Sequence, residues 1–149
     1  MEYHSPLEIN KLSARIVGCN LRGDREVNDF YATSRPVTEA LLKVEKFEGG
    51  IWEPCCGEGH ISKVLLEHGY NVISSDLIDR DYGTPHIDFL SEDSECDNII
   101  TNPPYKNALD FAEKAVELAR GKTALLLKLN FLEGQRRRLF FNKTPPVRV

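Results

Sequence analysis

The segment with the most specific chemistry is Asn102-Pro103-Pro104-Tyr105, which follows an apolar run at residues 97–101. A planar amine attached to a ring is a poor nucleophile, because its lone pair is delocalised. The side-chain oxygen of Asn102 and the main-chain carbonyl of Pro103 can accept both N–H bonds of such an amine and localise that lone pair. Prolines hold the acceptors in place, since their φ angle is fixed. The alternative is an ordinary turn after a strand.

A second candidate site lies upstream, in the glycine-containing loop Glu53-Pro54-Cys55-Cys56-Gly57-Glu58-Gly59. Gly57 and Gly59 lack a Cβ, so a ligand can approach the main chain closely. A dinucleotide is disfavoured, because Ser62 replaces the third glycine of that motif and because Glu53 and Glu58 would repel phosphates. The loop therefore predicts a site for a cationic ligand, or a tight turn that binds nothing.

Two acidic residues farther along the chain are also candidates, one at the end of an apolar run and one within a short apolar segment. Asp76 lies 19 positions after Gly57, at the predicted tip of the second strand, where a carboxylate can accept both hydroxyls of a ribose. Leu77, which follows it, is a further candidate contact. Asp88 could accept a hydrogen bond from an adenine amine, with Phe89 against the ring. The alternatives are a solvated carboxylate at Asp76 and a helix-capping Asp88 beside a core aromatic.

The elements that must position these residues follow from the hydrophobic pattern. A strand at 51–52, a helix over 61–68 and a strand at 71–75 form a βαβ unit. Further strands are predicted at 87–90, 97–101 and 122–129, with an amphipathic helix over 106–120 and a short basic helix over 135–141. The predicted fold is α/β, a doubly wound and mostly parallel sheet of about five strands. Because ligands bind outside the carboxyl ends of such strands, the two candidate sites should share one crevice.

One more segment precedes the glycine loop. Tyr31, Thr33 and Pro36 lie just before or within the first turn of a helix predicted over 37–47, which Ser34 can cap. Plain capping and packing explain most of these residues equally well.

Bulk properties limit the function further. The chain has 149 residues and a net charge of −4, so contact with a polyanion would need a local basic patch. Arg136 to Arg138 could supply one, although such a run is usually only solvated. The four cysteines have neither disulfide nor zinc spacing, so we expect reduced thiols and no metal site. The sequence has no leader-like or membrane-spanning apolar run, which predicts a cytoplasmic protein.

Together these motifs resemble the S-adenosylmethionine-dependent, adenine-specific DNA methyltransferases of phages and bacteria. The resemblance covers about residues 29–130 and implies a Rossmann-like class I methyltransferase domain at 29–149, preceded by an arm at 1–28. It implies S-adenosylmethionine as cofactor, DNA as partner, and a target base swung out of the duplex onto Tyr105. The implied catalytic residues are Asn102, Pro103, Pro104 and Tyr105. The implied cofactor contacts are Tyr31, Thr33, Pro36, Glu53, Cys55, Gly57, Gly59, Asp76, Leu77, Asp88 and Phe89.

Two features depart from that family. Its sheet normally has seven strands, whereas residues 147–149 read as the start of a sixth strand that is not completed. Its members also often add a target-recognition domain, for which the sequence pattern gives no candidate. An open sheet edge would favour a homo-oligomer or another partner chain. The same tetrapeptide chemistry also suits RNA adenine or the side-chain amide of a protein glutamine. A domain that binds S-adenosylmethionine or nucleic acid without catalysis is the alternative of a different class.

Overall fold

The structure is a computed structural model, and it describes residues 31–149. The arm predicted at residues 1–28 lies outside the described residues. The four main helices are α1 (Arg35–Val44), α2 (His60–Glu67), α3 (Ala108–Leu118) and α4 (Gln135–Lys143). The strands are β1 (Ile51–Glu53), β2 (Val72–Ser74), β3 (Asn98–Thr101) and β4 (Thr123–Leu125), and short 3-10 helices span Phe89–Ser91, Tyr105–Asn107 and Leu129–Leu132.

The four strands form one parallel sheet in the order β2-β1-β3-β4. From β1 the chain first adds β2 on one side and then crosses over to add β3 and β4 on the other. The direction of winding therefore reverses between β1 and β3. The predicted α/β class with a parallel, doubly wound sheet is confirmed. In this arrangement a crevice opens outside the carboxyl ends of β1 and β3.

Alternating side chains of β1 and β3 fill two apolar layers, one on each face of the sheet. Ile51 and Ile100 pack with Leu65 and other residues of α1 and α2. Trp52 and Ile99 point the opposite way and pack with the aromatic and aliphatic residues of the second layer, which include Phe89, Phe111, Ala115 and Leu118. Both strands are fully buried, as expected for central strands that are covered on both faces.

The strand predictions were wrong in two places, once among the five predicted strands and once in the sixth strand that residues 147–149 were expected to begin. Residues 87–90 form no strand, because the Asp88 side chain accepts a hydrogen bond from Leu90 N and caps a 3-10 helix instead. The predicted strand at 87–90 is therefore replaced by the 3-10 helix Phe89–Ser91. Residues 147–149 form no strand either. Val147 is fully exposed, and Arg148 holds this segment against α1 through an ion pair with Glu45 at 2.9 Å.

β2 and β4 are the outer strands of the described sheet. The outer edge of β2 is partly covered, since Thr84 N donates to Ser74 O at 2.9 Å and Thr84 O accepts from Asp76 N at 3.0 Å. The expectation that a partner chain pairs with an open edge stays a prediction. Between residues 31 and 149, every helix is too short or too polar to cross a bilayer.

Candidate functional site

A cleft of about 420 Å³ lies at the carboxyl edge of the sheet, where the winding reverses. Its size is typical of small-molecule sites. The ends of three strands contribute to it: Glu53 ends β1, Asp76 follows β2, and Asn102 follows β3. The glycine loop and the Asn-Pro-Pro-Tyr segment therefore border one crevice, as their positions after parallel strands predict.

The amide group of Asn102 has a defined orientation. Its Nδ2 donates to the main-chain oxygen of Tyr31 at 3.0 Å and to Oγ1 of Thr33 at 3.1 Å. A main-chain carbonyl can only accept, so the nitrogen must face Tyr31 and the oxygen must point elsewhere. Both N–H groups of the amide are used, which leaves Oδ1 as an acceptor. The segment around Tyr31 and Thr33 thus positions the residue that we predicted to be catalytic.

Tyr105 stacks on Tyr31 at the side of the cleft. Their ring centroids are 5.3 Å apart with an interplanar angle of 20°. The ammonium of Lys128 lies 4.7 Å from the Tyr105 centroid and 5.9 Å from that of Tyr31. The ammonium therefore lies within cation–π distance of both rings and closer to Tyr105. Pro103 is fully buried beside them and anchors the segment.

The two glycines shape the loop without lining the cleft. Gly57 has φ +55° and Gly59 has φ +78°, a region that favours glycine. A Cβ on Gly59 would collide with the ring of Tyr82, so at this position a side chain, and not a ligand, uses the space that glycine leaves. Lys63 in turn lies 4.9 Å from the Tyr82 ring centroid.

Asp76 connects the loop to the end of β2. Its Oδ2 accepts from Gly57 N at 2.8 Å, and its Oδ1 accepts from Ile78 N at 2.9 Å. Each carboxylate oxygen has further lone pairs, so Asp76 can still accept hydroxyl groups from a ligand in the cleft. The carboxylate therefore both supports the glycine turn and borders the cavity.

Glu53 is almost completely buried at the base of the cleft. Its Oε2 accepts from Ser62 N at 2.8 Å and also from the Ser62 hydroxyl. Burial raises the pKa of Glu53 to about 8, and the hydrogen bonds from Ser62 only partly oppose that shift. The carboxyl is therefore mostly protonated at pH 7. The negative charge that the sequence suggests at Glu53 is absent until pH rises or a cation binds beside the carboxyl.

The cysteines of the loop are buried thiols. Cys55, Cys56 and Cys96 are unpaired, and no disulfide joins the described cysteines; Cys19 lies outside them. Burial raises the pKa of Cys56 to about 12 and that of Cys55 well above its usual value. These thiols are therefore poor nucleophiles at neutral pH. Cys55 and Cys56 border the cleft as small, soft surfaces.

The candidate adenine contacts, Leu77, Asp88 and Phe89, also border the cleft. Asp88 is exposed and borders the cleft, but its two oxygens already accept from Leu90 N at 3.1 Å and from the Ser91 hydroxyl at 3.0 Å. Phe89 is 2% exposed and packs between Trp52 and Phe111. Asp88 thus has the helix-capping role that the sequence left open. The accessible apolar surface here belongs to Leu77, which is 56% exposed.

Ten of the fifteen predicted site residues border the cleft: Tyr31, Thr33, Glu53, Cys55, Asp76, Leu77, Asp88, Phe89, Asn102 and Pro104. The other five do not line it: Pro36 lies in the first turn of α1, Gly57 and Gly59 lie in the loop, Pro103 is buried, and Tyr105 stacks on Tyr31. Sequence reasoning missed His60, Ile78, Arg80, Ile87, Lys106, Asn107 and Phe111. Lys106, Asn107 and Phe111 could have been found, because they follow the Asn-Pro-Pro-Tyr segment directly in the chain.

Comparisons with known proteins agree with the fold. No family model matches the sequence, and no curated protein matches it significantly. Among solved structures, the chain is similar to one from Pyrococcus horikoshii described as "a putative RNA methyltransferase PH1948", with 19% identity and a TM-score of 0.51. That match covers 72% of this chain and 63% of the archaeal chain. At this identity the likeness concerns the fold alone, and we conclude that the described residues have a Rossmann-like α/β fold.

Proposed function

We propose that this protein transfers a methyl group from S-adenosylmethionine to the exocyclic amine of adenine in DNA. The observation that carries the proposal is the orientation of Asn102. Its Oδ1 is left as an acceptor by two hydrogen bonds from Nδ2, at the border of the same cleft as Asp76 and the glycine loop. A fixed amide acceptor beside such a cavity is what the proposed transfer to a planar amine requires.

The cleft residues fit a cofactor with a ribose, an adenine and a cationic methionine end. Asp76 would accept the ribose hydroxyls, Leu77 and Phe89 would contact the adenine, and Asp88 would accept from its amine. Glu53, Cys55 and the Tyr31 segment would surround the methionine end. When bound, S-adenosylmethionine supplies a methyl group on a positively charged sulfur.

The chain's own contribution to the reaction is positioning. Asn102 Oδ1 and the Pro103 carbonyl would accept both N–H bonds of the target amine, so that its lone pair faces the methyl carbon. As the N–C bond forms, the electron pair of the S–C bond stays on sulfur. The nitrogen then loses one proton to water, because neither an amide nor a carbonyl oxygen is basic enough to keep it. Tyr105 would stack on the extruded base.

RNA adenine is the second candidate substrate. The chemistry of the amine is the same in both nucleic acids, and the structural neighbour from Pyrococcus horikoshii is described as "a putative RNA methyltransferase". Glutamine amides of proteins and a binding domain without catalysis are further alternatives, but no contact among the described cleft residues favours them.

The test is radiolabelled methyl transfer to unmethylated DNA, RNA and a glutamine peptide, with Asn102→Ala as the key variant. Removal of one preorganised polar group typically lowers kcat about 10²- to 10³-fold. Asn71→Ala is the matched control, because Asn71 is exposed at the amino end of β2. Cofactor binding, measured by calorimetry, should be similar in all three proteins. Transfer by Asn102→Ala at the wild-type rate would refute the proposed mechanism, and transfer to RNA alone would replace DNA as the substrate.

A further inference from the structure

The charge of this chain is distributed very unevenly. Residues 122–149 contain seven Lys or Arg and a single Glu, a net charge of +6, whereas the whole chain has −4. The first 121 residues therefore carry −10. Such a division indicates that one part of the surface attracts polyanions although the molecule as a whole does not.

Some of these cations have no carboxylate partner among the described residues. Ion pairs with carboxylates are formed by Arg35, Lys114, Arg120, Lys122 and Arg148. By contrast, no carboxylate of residues 31–149 lies within ion-pair distance of Lys128, Arg136 or Arg138, and all three side chains are exposed. We call these three residues the basic cluster. Arg137 is excluded, because its side chain is only partly exposed, unlike those of the other three.

The fold places the basic cluster beside the candidate site. β4 runs parallel to β3, so Lys128, three residues after its end, lies at the carboxyl edge of the sheet. Its ammonium contacts the stacked pair Tyr31–Tyr105. Phe131, Phe140 and Phe141 pack against Ala108 and Ala112 of α3. α3 starts immediately after the Asn-Pro-Pro-Tyr segment, so α4 and its first-turn arginines are anchored next to it.

Aromatic rings beside unpaired cations are the features with which proteins bind single strands. Bases stack on the rings, and the cations follow the phosphates. A base that is already unpaired also needs no energy for extrusion. Resting on the proposed function, we propose that the basic cluster and the Tyr31–Tyr105 pair bind single-stranded nucleic acid, with the phosphates that flank the target nucleotide on Lys128, Arg136 and Arg138.

The experiment measures fluorescence anisotropy of a labelled 12-nucleotide DNA strand that contains one adenine, in the presence of S-adenosylhomocysteine so that no turnover occurs. The Arg136→Gln/Arg138→Gln variant should bind roughly 10- to 30-fold more weakly at 0.1 M salt, because two phosphates are no longer neutralised. The slope of log affinity against log salt should fall by about 1.4, at about 0.7 for each of these phosphates. Lys128→Gln should show about half of that weakening in log units.

Lys43→Gln/Lys46→Gln is the matched control. It removes the same charge from exposed lysines near the opposite end of the sheet, and it should bind like the wild type. The same sequence as a blunt duplex should bind the wild type more weakly than the single strand. Equal weakening in the control variant, an unchanged salt slope in the arginine variant, or tighter binding of the duplex would each overturn the proposal.

The strand-binding test and the methyl-transfer test can fail independently of each other. Anisotropy requires no methyl transfer, so a protein that binds the strand through the basic cluster but transfers no methyl group would refute the methyltransferase alone. A protein that methylates adenine at an unchanged rate and affinity after removal of both arginines would refute the strand site alone.

Discussion

The position of Asn102 depends on a residue that is distant in sequence and buried in the structure. Thr33 is 5% exposed, and its Oγ1 accepts one of the two N–H bonds of the Asn102 amide. The Tyr31 carbonyl accepts the other. Without Thr33 Oγ1, a buried N–H would have no acceptor, and the amide would gain freedom to rotate. Thr33 is therefore a positioning residue for the proposed reaction.

Replacing Thr33 by Val keeps its shape and removes the acceptor. We expect kcat for methyl transfer to fall about 10-fold, in line with the ~1 to 3 kcal/mol typical of an unsatisfied buried donor. The KM for the target nucleic acid should change little, because the acceptor lost from Thr33 orients Asn102 for the transfer step. Thr33→Ser should restore most of kcat, since it restores the hydroxyl. Equal losses of kcat in the Val and Ser variants would contradict this role.

The buried carboxyl of Glu53 predicts a pH dependence of stability. Its pKa is about 8 in the folded chain and 4.5 in the reference state, so the folded protein holds a proton that the unfolded chain releases. Stability from this group is fully present below pH 4.5 and is lost as pH rises to about 8. The total is roughly 5 kcal/mol, at about 1.36 kcal/mol for each pKa unit.

Glu53→Gln should remove most of that slope, because a carboxamide has no proton to lose. Urea unfolding at pH 5, 7 and 8.5 measures it. Glu95→Gln is the control, since Glu95 is exposed. A Glu53→Gln protein that loses stability between pH 5 and 8.5 as steeply as the wild type would show that another group is responsible.

At the scale of elements, the entry into α2 depends on a contact between the glycine loop and the segment after β2. Gly59 is the N-cap of α2 and has φ +78°, and the Tyr82 ring occupies the space beside it. Gly69, after the same helix, has φ +85°, and a Cβ at this position would meet no described atom within 4 Å. The two glycines share a left-handed backbone but differ in crowding.

Gly69→Ala should therefore lower the free energy of unfolding by about 1 kcal/mol, which is the cost of a left-handed backbone alone. Gly59→Ala should lower it by roughly 3 kcal/mol, because the ring of Tyr82 must also move. Tyr82→Ala in the Gly59→Ala background should recover part of the difference. Thermal and urea unfolding measure all three, and equal costs at the two glycines would contradict the contact with Tyr82.

At the scale of the whole molecule, the described residues form two hydrophobic clusters on the α3 face of the sheet. One joins the sheet to α3 through Phe89, Phe111 and their neighbours. The other joins the segment after β4 to the start of α3 and is centred on Phe131, which is 7% exposed. Since α4 contributes no fully buried residue, its attachment to α3 depends on the second cluster.

Phe131→Ala should destabilise that attachment by about 3 to 5 kcal/mol. Hydrogen exchange should accelerate most in residues 128–143, while β1 and β3 keep their protection. Leu132→Ala, at a position that is 43% exposed, is the control and should have little effect. Equal acceleration of hydrogen exchange in the sheet would contradict the expectation that residues 128–143 open separately from it.

The sequence by itself determined the alternation of strands and helices and the residues at the strand ends. Hydrophobic periodicity and glycine positions are local signals, so β1, β2, β3, α2 and α3 could be predicted from them. Because parallel strands bring their carboxyl ends to one edge, the shared cleft of Glu53, Asp76 and Asn102 followed as well.

Only the tertiary structure decided what each of these groups contacts. The orientation of Asn102 depends on partners about 70 residues away, and the protonation of Glu53 depends on how completely the fold buries it. The capping bonds of Asp88 and the ring of Tyr82 over Gly59 likewise required three-dimensional packing. Hydrogen-bond partners and desolvation are properties of distance in space, and periodicity along a chain carries no record of them.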